Sequence, residues 1–220
     1  MAIVSIIGPN GQATSSFKLV LVGGVTWTPT FKKGCDLIGG NLTVFNLTGP
    51  GQGVCVYPEV AQSSGLVYWE CTWTGLTNPT LQGGNGLCTI DAIADYETLA
   101  ANGTGGTIFR PDGSIWTNGV QVGPFSQLTQ SESDVVGILA DLRADIVAVK
   151  YFIVKGANVG QEIQDIFLAP GSYIPCVVFG NDPLAEAVTG NFGADVNSLL
   201  GPDLFPGQFE GVFLGWPNTA

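Results

Sequence analysis

The sequence predicts a mainly β protein: an antiparallel sandwich or jelly-roll-like body with one embedded amphipathic helix and a Pro/Gly-rich C-terminal arm. Three observations point there. The 220 residues include 32 Gly and 13 Pro, which cut the chain into short apolar or β-branched runs. Residues 66–74, Leu-Val-Tyr-Trp-Glu-Cys-Thr-Trp-Thr, alternate with a period of two, as a strand with two unlike faces does. Residues 107–122 carry Pro111-Asp112-Gly113 and Asn118-Gly119 between short apolar runs, the turn chemistry of a three-strand meander. A chain of this length buries well over half of its unfolded surface in a single domain. Residues 1–200 are therefore read as one β-rich domain and residues 201–220 as the arm.

Taken in order, residues 2–7 and 17–23 are aliphatic runs closed by Gly-Pro-Asn-Gly and Gly-Gly, hence strands. Residues 42–47 and 53–57 are two more, separated by a Gly/Pro turn. In 66–74, Val67, Trp69, Cys71 and Trp73 fall on a dry face. Tyr68, Glu70 and Thr72 fall on a wetter one, where Glu70 is read as the partner of a Lys or Arg. Residues 91–101 form a weaker helical turn whose Asp91, Asp95 and Glu97 make a solvated face. The embedded helix is placed at 133–149. There Val135, Ile138, Leu139, Leu142, Ile146 and Val149 recur at three and four residues, Ser131 or Ser133 can cap the start, and Glu132 and Asp134 suit its positive end. Residues 150–155 leave it as a strand. Asp182-Pro183 opens a short helix to about Val188.

Composition excludes several functions. With no histidine, the commonest general base and the Ser-His and Cys-His nucleophile systems are gone. A net charge of −11 is the opposite of a nucleic-acid footprint. No uncharged apolar run reaches the roughly 18 residues of a membrane span; the best, 135–154, is interrupted by Asp141, Arg143, Asp145 and Lys150. Cys35, Cys55, Cys71, Cys88 and Cys176 match no zinc spacing and read as free buried thiols, a Cys55–Cys71 bridge being the alternative. The Gly-rich loops at 83–86 and 103–106 carry no Lys or Arg and lack the phosphate-binding pattern. No cofactor, metal site or catalytic motif is expected, and the chain is read as a non-enzyme.

The charged share is 11% and the mean hydropathy +0.32, where a soluble monomer carries about a quarter charged residues. That balance points to burial against other protein. The leading expectation is a structural subunit of a large assembly: a virion or phage-particle protein, in the capsid decoration or surface rather than the tail. It would be built in the host cytoplasm and released without a signal peptide, since residues 1–8 lack a basic n-region. Its partners would be copies of itself or other particle proteins, met through Phe205, Phe209, Phe213 and Trp216 of the arm. The alternative is a carbohydrate- or cell-surface-binding β-module with Trp27, Tyr57 and Trp116 as a stacking platform for a glycan. A two-carboxylate glycan-cleaving enzyme, with Glu70 as its one distinctive acid, is the remote alternative.

Overall fold

Local turn chemistry and β-branched runs give a protein of strands. The structure, a computed structural model, describes residues 27, 32–40, 43–46, 53–56, 61–75, 83–123, 129–143, 145–162, 166–179, 187–192 and 213–214. In chain order these form β1 Lys32–Lys33, β2 Cys35–Ile38, β3 Thr43–Asn46, β4 Gly53–Val56, β5 Leu66–Thr74, β6 Gly84–Cys88, α1 Ile90–Ala94 and α2 Tyr96–Asn102. There follow β7 Gly106–Phe109, β8 Ile115–Thr117, β9 Val120–Val122, β10 Val135–Asp141, β11 Val147–Lys155, β12 Ile166–Leu168, β13 Ile174–Phe179, β14 Ala187–Asn191 and β15 Phe213–Leu214.

Two sheets result. One has the order β1-β4-β13-β6-β7-β8-β9, the other β12-β11-β10-β5-β14-β3-β2. Their ladders are antiparallel except where β15 lies parallel to β5 at Val67 and Tyr68. The two inner faces make one core, with Trp69, Trp73, Val149 and Tyr151 from one sheet meeting Leu87, Phe109, Val177 and Phe179 from the other. Side-chain hydrogen bonds cross it. The Trp73 indole N–H donates to Asn85 Oδ1 at 3.0 Å, and the Tyr151 hydroxyl donates to the Thr107 carbonyl at 3.2 Å. Partners are required because a buried donor without an acceptor costs about 1–3 kcal/mol.

Helices cover part of the outer face of the first sheet. Helices α1 and α2 occupy the segment predicted to be helical. Thr89 Oγ1 accepts from the Ala92 N–H, and Gly103, at φ +70, ends α2 by donating its N–H to the Leu99 carbonyl. Ala92 and Leu99 pack on Ile108, Ile174, Cys176 and Val178, while Asp91 and Asp95 stay exposed. The predicted meander is β7, β8 and β9, with Gly113 at φ +83 and the pair Asn118 and Gly119 at +47 and +84. Strands β3, β4 and β5 lie where the sequence places them. Cys35, Cys71, Cys88 and Cys176 are buried free thiols, so no Cys55–Cys71 bridge forms. No helix among the described residues is long and apolar enough to cross a membrane.

Three expectations are corrected. The helix at 133–149 is instead the hairpin of β10 and β11. Val136, Ile138 and Ala140 face the inner core, while Val135 and Leu139 join Tyr68 and Phe152 on the outer face. A run buried on both sides is apolar at every period, so its helical spacing carried no information, and β-branched residues favour the strand. Ser131 and Asp134, expected to cap a helix, close a turn in which the Ser131 N–H donates to Asp134 Oδ2 at 2.8 Å. Second, the wetter face of β5 is dry: Tyr68 is fully buried, and Glu70, 3% exposed, accepts from the Tyr68 hydroxyl at 2.8 Å. Third, Val188 belongs to β14, not to a helix. The expected strands at 2–7 and 17–23, and residues 182–186 of that helix, lie outside the described residues.

Candidate functional site: a loop cleft at one end of the sandwich

Three segments distant in sequence meet at one end of the sandwich: 61–65 entering β5, 142–143 and 145–146 between β10 and β11, and 169–173 joining β12 to β13. Backbone bonds tie them together. The Leu142 N–H donates to the Gly65 carbonyl at 2.7 Å, and Gln62 and Tyr173 exchange two N–H to carbonyl bonds of 2.8 Å. The Tyr173 hydroxyl donates to the Ala169 carbonyl at 2.8 Å and fixes the third loop. Between them lies a cleft of about 390 Å³. Its floor is the end of the core, Leu142 and Val147. Ser63 and Ser64 form one wall, Pro170, Gly171 and Ser172 another, and Arg143 and Asp145 stand on the rim.

The rim charges are unevenly used. Asp141 Oδ1 accepts from the Arg143 backbone N–H at 3.0 Å and from Nε at 2.9 Å, and Oδ2 accepts from Nη2 at 2.8 Å. This fork holds the Asp141 carboxyl below its ordinary range, chiefly through the side-chain hydrogen bonds, and fixes the turn. Arg143 is thus largely neutralised by Asp141, while Asp145 brings a second exposed carboxylate. Hydroxyls and an acid beside an ion-paired guanidinium, over an apolar floor, can orient a polar ligand. They supply no nucleophile–base pair, and among the described residues no three His, Cys, Asp or Glu side chains group as metal ligands.

The residues singled out from sequence lie elsewhere. Trp27 is fully buried, edge-on to Phe192 at 4.8 Å, so it offers no face to a ligand. Trp116 is half-buried on the outer face of β8, with the Arg110 guanidinium 4.7 Å from its ring centre. Tyr57 lies outside the described residues, as do Phe205, Phe209 and Trp216. Phe213 lies in β15 and is held by the chain's own β5. The stacking platform is therefore not assembled from Trp27 and Trp116. Sequence reasoning missed Ser63, Ser64, Arg143, Asp145 and Ser172. One signal was present: Asp141, Arg143 and Asp145, spaced by two, interrupt the apolar run where a hairpin turn belongs.

The decisive comparison is of backbones. The fold is shared with the SPRY domain of human HERC1. The superposition has a TM-score of 0.54 at 15% identity and covers 75% of this chain and 96% of that one. The TRIM65 PSpry domain aligns with a TM-score of 0.49 at 13% identity over 75% of this chain and 90% of that one. The exoplasmic/lumenal domain of VIP36, in a Ca2+/Man3GlcNAc-bound form, aligns at 0.45 and 10% identity over 74% and 81%. No family model and no curated protein matches the sequence.

Proposed function

We propose that this chain is a recognition module that holds its ligand in the end cleft and performs no covalent chemistry on it. It is the binding-module alternative of the sequence reading, with the site moved from the tryptophans to the loops. One observation carries it: three sequence-distant loops are bonded to one another around a concave, hydroxyl-lined surface. A cleft fixed in advance spends little ordering free energy when it binds. The test is Ser172→Trp, which fills the cleft from an exposed position. Wild type and variant are screened on arrays of glycans and of displayed peptides. Ligands of the wild type should weaken about ten-fold or more, with unchanged circular dichroism. Ligands indifferent to the substitution would remove the cleft from the reading.

A second reading, a structural subunit of a particle such as a virion, is favoured by the 11% charged share and by outward apolar side chains such as Val120 and Val159. Light scattering from low micromolar concentration upward separates the two. A defined oligomer supports assembly, and a 22.9 kDa monomer at every concentration counts against self-assembly.

A further inference from the structure

The cleft has an apolar lip. Ala148 of β11 lies directly opposite Phe167 of β12, which puts both on the outer face, and Ile146 stands at the entry to β11, two residues before Ala148. Val147, Val149 and Leu168 point inward. Phe167 is 64% exposed and Ile146 56%, two large apolar side chains at the same end of the β11–β12 pair. β12 is the outermost strand of its sheet among the described residues, so this lip is reached from the side as well as from above.

Its charge is also defined. Asp145, on the rim, is the immediate neighbour of Ile146. Arg143 is committed to Asp141 through Nε and Nη2, and Lys150 stands four residues further along, about 13 Å from Ile146 in the strand direction. Asp145 therefore leaves the lip with a net negative charge, in a chain whose net charge is −11.

Resting on the recognition reading, we infer that the occupant is an extended segment of a protein partner carrying a large apolar side chain beside a Lys or Arg. The apolar group lies on Ile146 and Phe167. The cation meets Asp145, and the segment's backbone groups meet the Ser63, Ser64 and Ser172 hydroxyls. Successive side chains of an extended chain point to opposite sides, so an apolar group and a cation that both face this surface stand two residues apart in the segment. Exposed ion pairs add little affinity but set orientation and partner choice, so the apolar contact supplies most of the binding and Asp145 most of the selectivity.

The experiment pans a displayed library of random twelve-residue peptides on the immobilised full chain, then measures selected peptides by fluorescence polarisation. Enriched peptides should place Lys or Arg within two residues of Leu, Ile, Phe or Trp. Their affinity should fall about ten-fold with Phe167→Ser, and they should be rejected by Asp145→Lys. Val159→Ser, an exposed apolar change on a separate turn, should leave binding unchanged. Both test positions are exposed, and circular dichroism and Tm confirm that each variant folds. Peptides without a basic residue, peptides that bind Asp145→Lys and Phe167→Ser as well as wild type, or no enrichment at all overturn the inference. A glycan bound at the cleft and lost with Ser172→Trp overturns the peptide while leaving the recognition reading intact. If neither class responds to cleft variants, both fall.

Discussion

Gly137 sits in the middle of β10, beside Glu70 of β5 and under the ring of Tyr68, and substituting it tests the account of the outer face. A Cβ at this position would lie 2.1 Å from Tyr68 Oη and 2.8 Å from Cε2 and Cζ. Restoring ordinary contact moves the phenol more than an ångström, and Tyr68 is fully buried with its ring edge-on to Phe152 at 6.4 Å. The displacement breaks its 2.8 Å hydrogen bond to Glu70. Overpacking costs about 1–3 kcal/mol, and unmaking a buried hydrogen bond about 1–3 kcal/mol. Replacing glycine within a strand returns about 0.5–1 kcal/mol. Gly137→Ala should therefore destabilise by about 2–4 kcal/mol, a fall of roughly 5–15 °C in Tm for a domain of this size. Urea unfolding of wild type, Gly137→Ala, Tyr68→Phe and the double variant forms a cycle. Because the hydrogen bond can be lost only once, the double variant should be less destabilised than the sum of the singles by at least 1 kcal/mol or so. A loss below about 0.5 kcal/mol for Gly137→Ala, or strict additivity, would refute the packing of Tyr68 over Gly137.

Other perturbations read separate parts of the structure. Asp141 is held below its ordinary range by Arg143. Its stabilisation is present above the unfolded carboxylate value of about 3.9 and is lost as pH falls from there towards the lower folded value. Asp141→Asn should thus cost under about 1 kcal/mol at pH 7, the pair being solvent-exposed, and nothing once the wild-type acid is protonated, as urea midpoints against pH will show. Burial pushes the Cys71 thiol well above its ordinary range, so residue-resolved iodoacetamide labelling at pH 8 should leave Cys71 unmodified until denaturant is added. Tyr151→Phe removes the inter-sheet hydroxyl that donates to Thr107, while Thr107 Oγ1 still accepts from the Thr117 hydroxyl at 3.0 Å. It should cost about 0.5–1.5 kcal/mol in chemical denaturation. Gly119 has φ +84 and open space where a Cβ would stand, so Gly119→Val should lose about 1–2 kcal/mol from backbone strain alone, with Gly119→Asn retaining most of it.

What the sequence revealed follows from the range of the forces involved. The meander was legible because Pro111-Asp112-Gly113 and Asn118-Gly119 encode their turns within a few residues. The central strand was legible because Trp69 and Trp73 alternate with Glu70 and Thr72. Residues 135–149 misled for the opposite reason: their two faces are both buried by elements distant in sequence, and nothing local distinguishes that from an amphipathic helix. Ile146 shows the error most plainly, since the supposed buried stripe includes a side chain that is 56% exposed. Glu70 was placed on a wet face because an acid normally marks one, whereas here the Tyr68 hydroxyl accompanies it into the interior. The cleft was illegible in principle. Ser63, Ser64, Gly171 and Ser172 are ordinary turn residues, and only the pairing of β5 with β10 and of β11 with β12, with the Gln62–Tyr173 bridge, brings their loops to one end.

Strand order also fixes a timetable for synthesis. β5 is complete when residue 74 is made, yet its two antiparallel neighbours are β10, residues 135–141, and β14, residues 187–191. β4 likewise waits for β13. On the ribosome, where chains grow at about 5–20 residues per second, the Trp69 and Trp73 side chains of the nascent chain have no native sheet to enter for seconds to tens of seconds. The meander and the β10–β11 hairpin can form as they emerge, but neither sheet closes until the last fifth of the chain arrives. Synthesis at low temperature or with a holding chaperone should therefore raise soluble yield more than slowing initiation does.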